Sequence, residues 1–109
     1  MEICQTIIYE KTGVTAVFAA AGDLLTGVLK AVKTEKVTIP DDLAVVSFDD
    51  HPLYEFLSPT ITTVRQPITQ LGETAANQLF LLMEGENPEQ KGQILPTEII
   101  IRESCGAKQ

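Results

Sequence analysis

Apolar and polar residues along the chain change their period several times, and each change marks a new element. From Val14 to Ala21, VTAVFAAA is a nearly all-apolar run of small and β-branched residues, which predicts a strand buried on both faces. Gly22 and Asp23 end it. Leu24, Leu25, Val28, Leu29 and Val32 then fall on one helical stripe, with Lys30, Lys33, Glu35 and Lys36 mostly opposite, and Asp23 is the expected N-cap. Pro40 stops any helical continuation. Leu43 to Phe48, LAVVSF, is a second strand too apolar to alternate, so strand, helix and parallel strand is the economical reading.

After Asp49 and Asp50 the pattern breaks down in HPLYEFLSPT, an irregular segment bounded by Pro52 and Pro59. Ile61 to Gln66 predicts a third strand. Pro67 suits the first turn of a helix, and Ile68, Leu71, Ala75, Ala76, Leu79, Phe80, Leu82 and Met83 repeat at helical spacing, a stripe expected to face the core. Gly85 is the expected stop, followed by a turn at Asn87-Pro88. Ile94 to Glu103 predicts a last strand whose Pro96 suits an edge or a bulge. Met1 to Lys11 fits a short amphipathic helix through Ile3, Ile7 and Ile8, although its IIY could also be a strand. The pattern therefore predicts an α/β fold, a mostly parallel sheet of three to five strands flanked by helices on both faces.

Composition narrows the function. The 109 residues make one domain at most. They are 44% hydrophobic and 21% charged, with a mean hydropathy of +0.10, enough to build a core and too apolar for a solvated tail. Eight Lys plus Arg against fifteen Asp plus Glu leave a net charge of −7. The only basic series, Lys30, Lys33 and Lys36, is broken, so the chain lacks the footprint that a phosphate backbone requires, and no direct nucleic-acid contact is expected. The run Ala16 to Ala21 is far short of the roughly 20 apolar residues of a membrane span, and no leader precedes it. A cytoplasmic location follows as the expectation.

Catalytic chemistry has little to build on. Cys4 and Cys105 stand in no CxxC pair and His51 is the only histidine, so ordinary thiols are expected, with no metal site and no cofactor. Ser47 and Ser104 lack a nucleophile-elbow context, and no glycine-rich phosphate loop is present. An enzyme is not expected.

Taken in order, TAVFAAAGDLLTGVLKAVK, TIPDDLAVVSFDDHPLYEFLSPTITTVRQP, ITQLGETAANQLFLLMEG and ILPTEIIIRESC resemble the lactose and galactose repressor family of bacterial transcription regulators, from about Val14 to Cys105. The ordered set PDD, apolar strand, FDD, SPTITTVRQP and LGETAA carries the resemblance. It implies a periplasmic-binding-protein-like effector domain of two α/β subdomains around a hinge, following a helix-turn-helix headpiece. The match covers the C-terminal subdomain, so residues 1–109 are expected to form a single effector-binding and dimerisation subdomain, without the headpiece and most of the N-terminal subdomain.

The resemblance also implies site residues. Ligands of open α/β sheets bind beyond the carboxyl ends of the strands, and there Asp49 matches the family carboxylate that accepts from effector hydroxyls or amino groups. Turn capping is the alternative for Asp49 and the expected role of Asp50. Asp23 matches a family acid at the start of the crevice helix, or is simply an N-cap; the loop to Gly27 is one residue shorter than the family usually shows. Phe48 offers an aromatic face to a sugar or belongs to the core, and Gln66 matches a position that reaches the effector in some relatives or is solvated. Tyr54, Phe56 and Leu57, with Leu25 and Thr26 on the first turns of the helix, match the family's dimer contact. A loop packed on itself is the alternative. The expected partners are a small-molecule effector, a sugar or related metabolite bound weakly by a half-cleft, and a second copy of the chain, with no membrane. Part of a sugar-carrier protein, or a unit that only dimerises, are the alternative functions.

Overall fold

The computed structural model describes residues 13–87 and 92–107, so the expected N-terminal helix over Met1 to Lys11 lies outside the described residues. Three short strands follow one another in parallel register. β1 (Ala16–Ala19) pairs with β2 (Ala44–Phe48) through Ala16 on Ala44 to Ala19 on Ser47. β2 in turn pairs with β3 (Thr62–Arg65), with Val46 on Thr62 and Phe48 on Val64. β4 (Glu98–Ile100) completes a four-stranded sheet in the order β1-β2-β3-β4. Between β1 and β2 runs α1 (Gly22–Thr34). The expected alternation and parallel pairing are thus present in an α/β fold.

The core forms where α1 meets the sheet. Leu25, Val28, Ala31 and Val32 are buried together with Ala19, Val45, Leu43, Ile39 and Ile61. Leu25, Val28 and Val32 belong to the predicted stripe and Ala19, Leu43, Val45 and Ile61 to the predicted strands, whereas Ala31 and Ile39 come from neither. Covering one large aliphatic side chain is worth about 1.5–3 kcal/mol. α1 starts two residues earlier than expected. Its N-cap is Ala21 in extended backbone, with no side-chain cap, because β1 pairing ends at Ala19 and frees the chain to turn at once. Asp23 therefore sits inside the first turn rather than at the cap, where its charge still favours the helix dipole. The helix closes with Lys36 in the left-handed region at φ 55°, the Lys36 amide donating to Lys33 O and the Val37 amide to Val32 O.

Two compact units divide the described residues, the first ending at Arg65 and resuming at Ile99, the second running from Gln66 to Glu98. The second unit holds α2 (Ile68–Met83), with Pro67 as N-cap instead of within the first turn. Gly85 ends it as expected, with φ 81°, its own amide donating to Leu82 O and the Glu86 amide to Leu81 O. No residue of α2 is buried, and Ile68, on the predicted apolar stripe, is 72% exposed. A single helix has no second layer within its own unit to cover such a stripe.

The last strand is far shorter than the predicted Ile94 to Glu103. Ile94 is fully exposed, Pro96 cannot donate to a ladder, and past Ile100 a mixture of side-chain and backbone bonds takes over from the regular ladder. The Arg102 amide donates to Thr62 Oγ1 at 2.9 Å, the Ser104 amide to Thr60 O at 2.9 Å, and the Thr62 amide to Ser104 Oγ at 2.8 Å. The Val45 amide donates to Ser104 O at 2.9 Å, so this tail is stitched under β2 and β3.

Candidate functional site

Parallel strands bring their carboxyl ends to one edge, and Asp23, Asp49 and Asp50 follow the strands there. Register sets Ala19 beside Ser47 and Phe48 beside Val64, so the residues that follow β1 and β2, Asp23 and Asp49, leave neighbouring strand ends. Both are exposed. Asp49 adopts the left-handed backbone at φ 73°, and its amide donates to Val64 O at 2.9 Å, which extends the β2–β3 ladder by one bond. Aspartate tolerates this conformation better than most residues, at a cost of about 1–3 kcal/mol where it is strained.

Phe48 is half-buried on the sheet face opposite Ser47, and its ring meets Phe18 edge to face with centroids 6.5 Å apart. It is neither a fully buried core residue nor an open aromatic platform. Gln66 is half-buried and opens the second unit, its carbonyl accepting the Ile68 amide at 2.9 Å.

Asp50 is the charged centre of this region. The chain contains two arginines, and both converge on it. Arg102 Nη1 donates to Asp50 Oδ1 at 2.8 Å and Nη2 to Oδ2 at 3.4 Å, while Arg65 donates to Oδ2 from Nη2 at 2.7 Å and from Nε at 3.0 Å. Thr63 Oγ1 adds a bond of 3.0 Å. Arg102 also donates to Ile61 O at 2.7 Å and lies 3.7 Å from Glu55. The Arg102 side chain is 8% exposed and that of Asp50 14%. Charge-assisted bonds of this kind favour the ionised carboxylate. The Arg102 guanidinium, seconded by Arg65 and Thr63, holds the Asp50 carboxyl well below the usual carboxylate range against the opposing effect of burial. The role expected for Asp50, initiating a turn, is thus part of something larger. Nothing in the local pattern signals it, because Arg102 is 52 residues away.

The irregular segment forms a single turn of 3-10 helix (Pro52–Glu55), capped by His51, whose Nδ1 accepts the Leu53 amide at 3.0 Å. Tyr54 packs half-buried against the core, and its hydroxyl would stand 3.4 Å from a Cβ placed on Gly22. It is therefore not an exposed anchor. Leu25, 1% exposed, is a core residue and drops out of the surface expected for self-association. That surface keeps Phe56, Leu57 and Thr26, all exposed, and gains exposed Leu53 and Leu24. Thr26 ties its hydroxyl to Gly22 O.

Among the described residues no cluster of His, Cys, Asp and Glu could hold a metal ion, and no helix is long and apolar enough to cross a membrane. Cys105 is a half-buried free thiol whose Sγ lies 3.7 Å from Arg102 O. Cys4 lies outside the described residues.

Comparison with known proteins places this arrangement. Residues 4–105 match the periplasmic binding protein-like domain. The chain is 35% identical over 106 residues to the HTH-type transcriptional regulator MalR of Clostridium butyricum, covering 95% of this chain and 31% of that protein. A putative transcription regulator from Staphylococcus saprophyticus superposes with a TM-score of 0.87 at 33% identity, over 95% of this chain and 36% of that one. A LacI family transcriptional regulator from Arthrobacter, solved in complex with lactose, superposes with a TM-score of 0.80 at 28% identity, over 95% of this chain and 39% of that one. The chain spans less than a third of the length of the first curated relatives it matches. These relatives are transcription regulators rather than enzymes. A sheet whose first three strands are parallel, in a chain matched nearly end to end by such regulators, makes this chain a member of the periplasmic binding protein-like domain family, in the branch of the lactose- and galactose-repressor-type transcription regulators.

Proposed function

We propose that the chain is the C-terminal subdomain of a regulator's effector domain, that it supplies one wall of a sugar-binding cleft, and that it self-associates in the cytoplasm. The observation that carries the first part is Asp49. It stands exposed just beyond β2, at the carboxyl edge where open α/β sheets bind ligands, and its left-handed backbone turns the chain there. A carboxylate in that place accepts hydrogen bonds from sugar hydroxyls, and Asp23 at the neighbouring strand end supplies a second acceptor. The lactose held by the Arthrobacter relative supports a carbohydrate as the ligand class.

A single wall buries little of a small sugar, so binding by this chain is weak. In an amide NMR titration with lactose and a panel of monosaccharides, the signals of Asp49 and Asp23 shift at millimolar sugar, the affinity range of about −4 kcal/mol. Asp49→Asn abolishes these shifts and Asp50→Asn weakens them less. Shifts confined to other regions, or none with any sugar, refute the site.

Self-association rests on Phe56, Leu53, Leu57 and Leu24, four exposed apolar side chains on and just after the 3-10 turn and at the start of α1. Exposed apolar groups clustered in this way mark interfaces. Sedimentation equilibrium finds a dimer at about 100 µM, above the micromolar range expected for so small a contact. Leu57→Asp turns it into a folded monomer. An unsubstituted chain that stays monomeric, or a Leu57→Asp variant that stays dimeric, overturns this interface.

A further inference from the structure

We propose that Asp50 and Arg102 are positioning residues, which together with Arg65 clamp the turn after β2 and thereby hold Asp49 in the backbone conformation that presents it at the sheet edge. Its functional meaning rests on the reading of Asp49 as an effector-binding residue.

The argument starts from the two flanks of Asp49. On one side Phe48 is fixed in the ladder opposite Val64, and the Asp49 amide itself bonds Val64 O. On the other, the Asp50 carboxylate accepts from both arginines and from Thr63 on β3. Asp49 is left to absorb the change of direction, and it does so at φ 73°. A left-handed residue other than glycine persists where its surroundings over-determine it, and here the over-determining contact comes from the tail. Arg102 reaches Asp50 from a segment that Thr62 Oγ1 and Ser104 lock beneath β3, and the Arg102 guanidinium also bonds Ile61 O. The fork geometry of arginine suits this task, because its donors fix the plane of the carboxylate as well as its charge. The orientation of Asp49 is therefore set by a residue 53 positions further along the chain (102 − 49 = 53).

The test does not need the ligand. Amide hydrogen exchange and the HN–Hα coupling of Asp49 are measured by NMR in the unsubstituted chain and in Asp50→Asn, Arg102→Lys and Arg65→Gln. Asp50→Asn and Arg102→Lys raise the exchange rate of the Asp49 amide by at least about ten-fold, the change that follows loss of one hydrogen bond to a charged group. They also move its coupling away from the left-handed value, while the Ala31 and Leu25 amides in α1 keep their protection. Arg65 is half-exposed, so Arg65→Gln gives a smaller change in a chain that stays folded. Unchanged Asp49 signals in Arg65→Gln and in folded Asp50→Asn overturn the proposal, as does a rise in exchange of equal size at Ala31, which marks general destabilisation. If the unsubstituted chain shows no sugar-induced shifts, the effector reading fails, and the exchange data still decide the positioning.

Discussion

The two sides of the first unit are held together by different chemistry. On the α1 side, Leu25, Val28, Ala31 and Val32 pack on Ala19 and Val45 with few polar atoms involved. On the β3 side the buried polar residues are Thr62, Thr63, Arg102 and Ser104, each hydrogen-bonded across the fold, and among the described residues no buried side-chain nitrogen or oxygen lacks a partner. The apolar side is non-directional and tolerates a change of shape that conserves volume. The polar side is directional, so removing one group strands its partners. The acidic edge lies where the directional side ends, and this suits a site that must hold a carboxylate in place.

The comparison can be broken most severely at Arg102. Arg102→Met leaves the Asp50 carboxylate to Arg65 and Thr63 and takes the Arg102 donor from the Ile61 carbonyl, and urea unfolding should show a loss of about 3–4 kcal/mol, as for other broken buried ion pairs. On the apolar side, Leu25→Ala should lose about 3 kcal/mol through transfer and cavity terms, while Leu25→Met loses under about 1.5 kcal/mol. That tolerance has no counterpart on the polar side. Ser104→Ala, nearly the same size, should still lose about 2 kcal/mol in the same assay, because the Thr62 amide and the Val45 carbonyl both lose a partner.

Acid sharpens the same contrast. The folded Asp50 carboxyl lies below its ordinary value of 3.8, so its contribution is fully present above that value and is lost as the pH falls through and beneath it. Stability measured from pH 7 to pH 2 should therefore fall faster in the unsubstituted chain than in Asp50→Asn, and the two curves should converge at the acid end. Parallel curves would show that Asp50 is not the group responsible. The smallest effect belongs to the second unit: Ile68→Asp, at a position 72% exposed, should change thermal stability by no more than about 0.5 kcal/mol. A large loss there would mean that the α2 stripe is covered after all.

What could be read from the pattern of residues corresponds to the apolar side. The stripe Leu25, Val28, Val32 and the runs around Val17 and Val45 announce α1, β1 and β2 within one or two residues, and Gly85 announces the end of α2. Periodicity reports local burial, and these elements are buried by neighbours close in sequence. The last strand was legible only in part, since apolar Ile94 and Ile101 suggest pairing that Pro96 and the side-chain bonds of Thr62 and Ser104 replace. Of the site, Asp49 and Asp23 were legible as residues that follow parallel strands. The clamp on Asp50 was not, because its bonds join positions 13 to 52 residues apart and neither arginine stands in a recognisable motif. Leu25 and Leu24 show the same limit on a smaller scale: adjacent and alike in the sequence, one is core and the other is surface.

The sequence by itself thus determined the order of strands and helices, the absence of a basic footprint for nucleic acid, and the family to which FDD, SPTITTVRQP and LGETAA point. These depend on composition and short-range period, which survive in one dimension. Tertiary structure decided that Tyr54 faces the core while Phe56 faces solvent, and that Asp50 pairs with both Arg65 and Arg102. It also decided that the tail from Arg102 to Ser104 fastens the strands leading to the acidic edge. Hydrogen bonds and ion pairs depend on distance and angle between groups far apart in the chain, and only the folded backbone sets those.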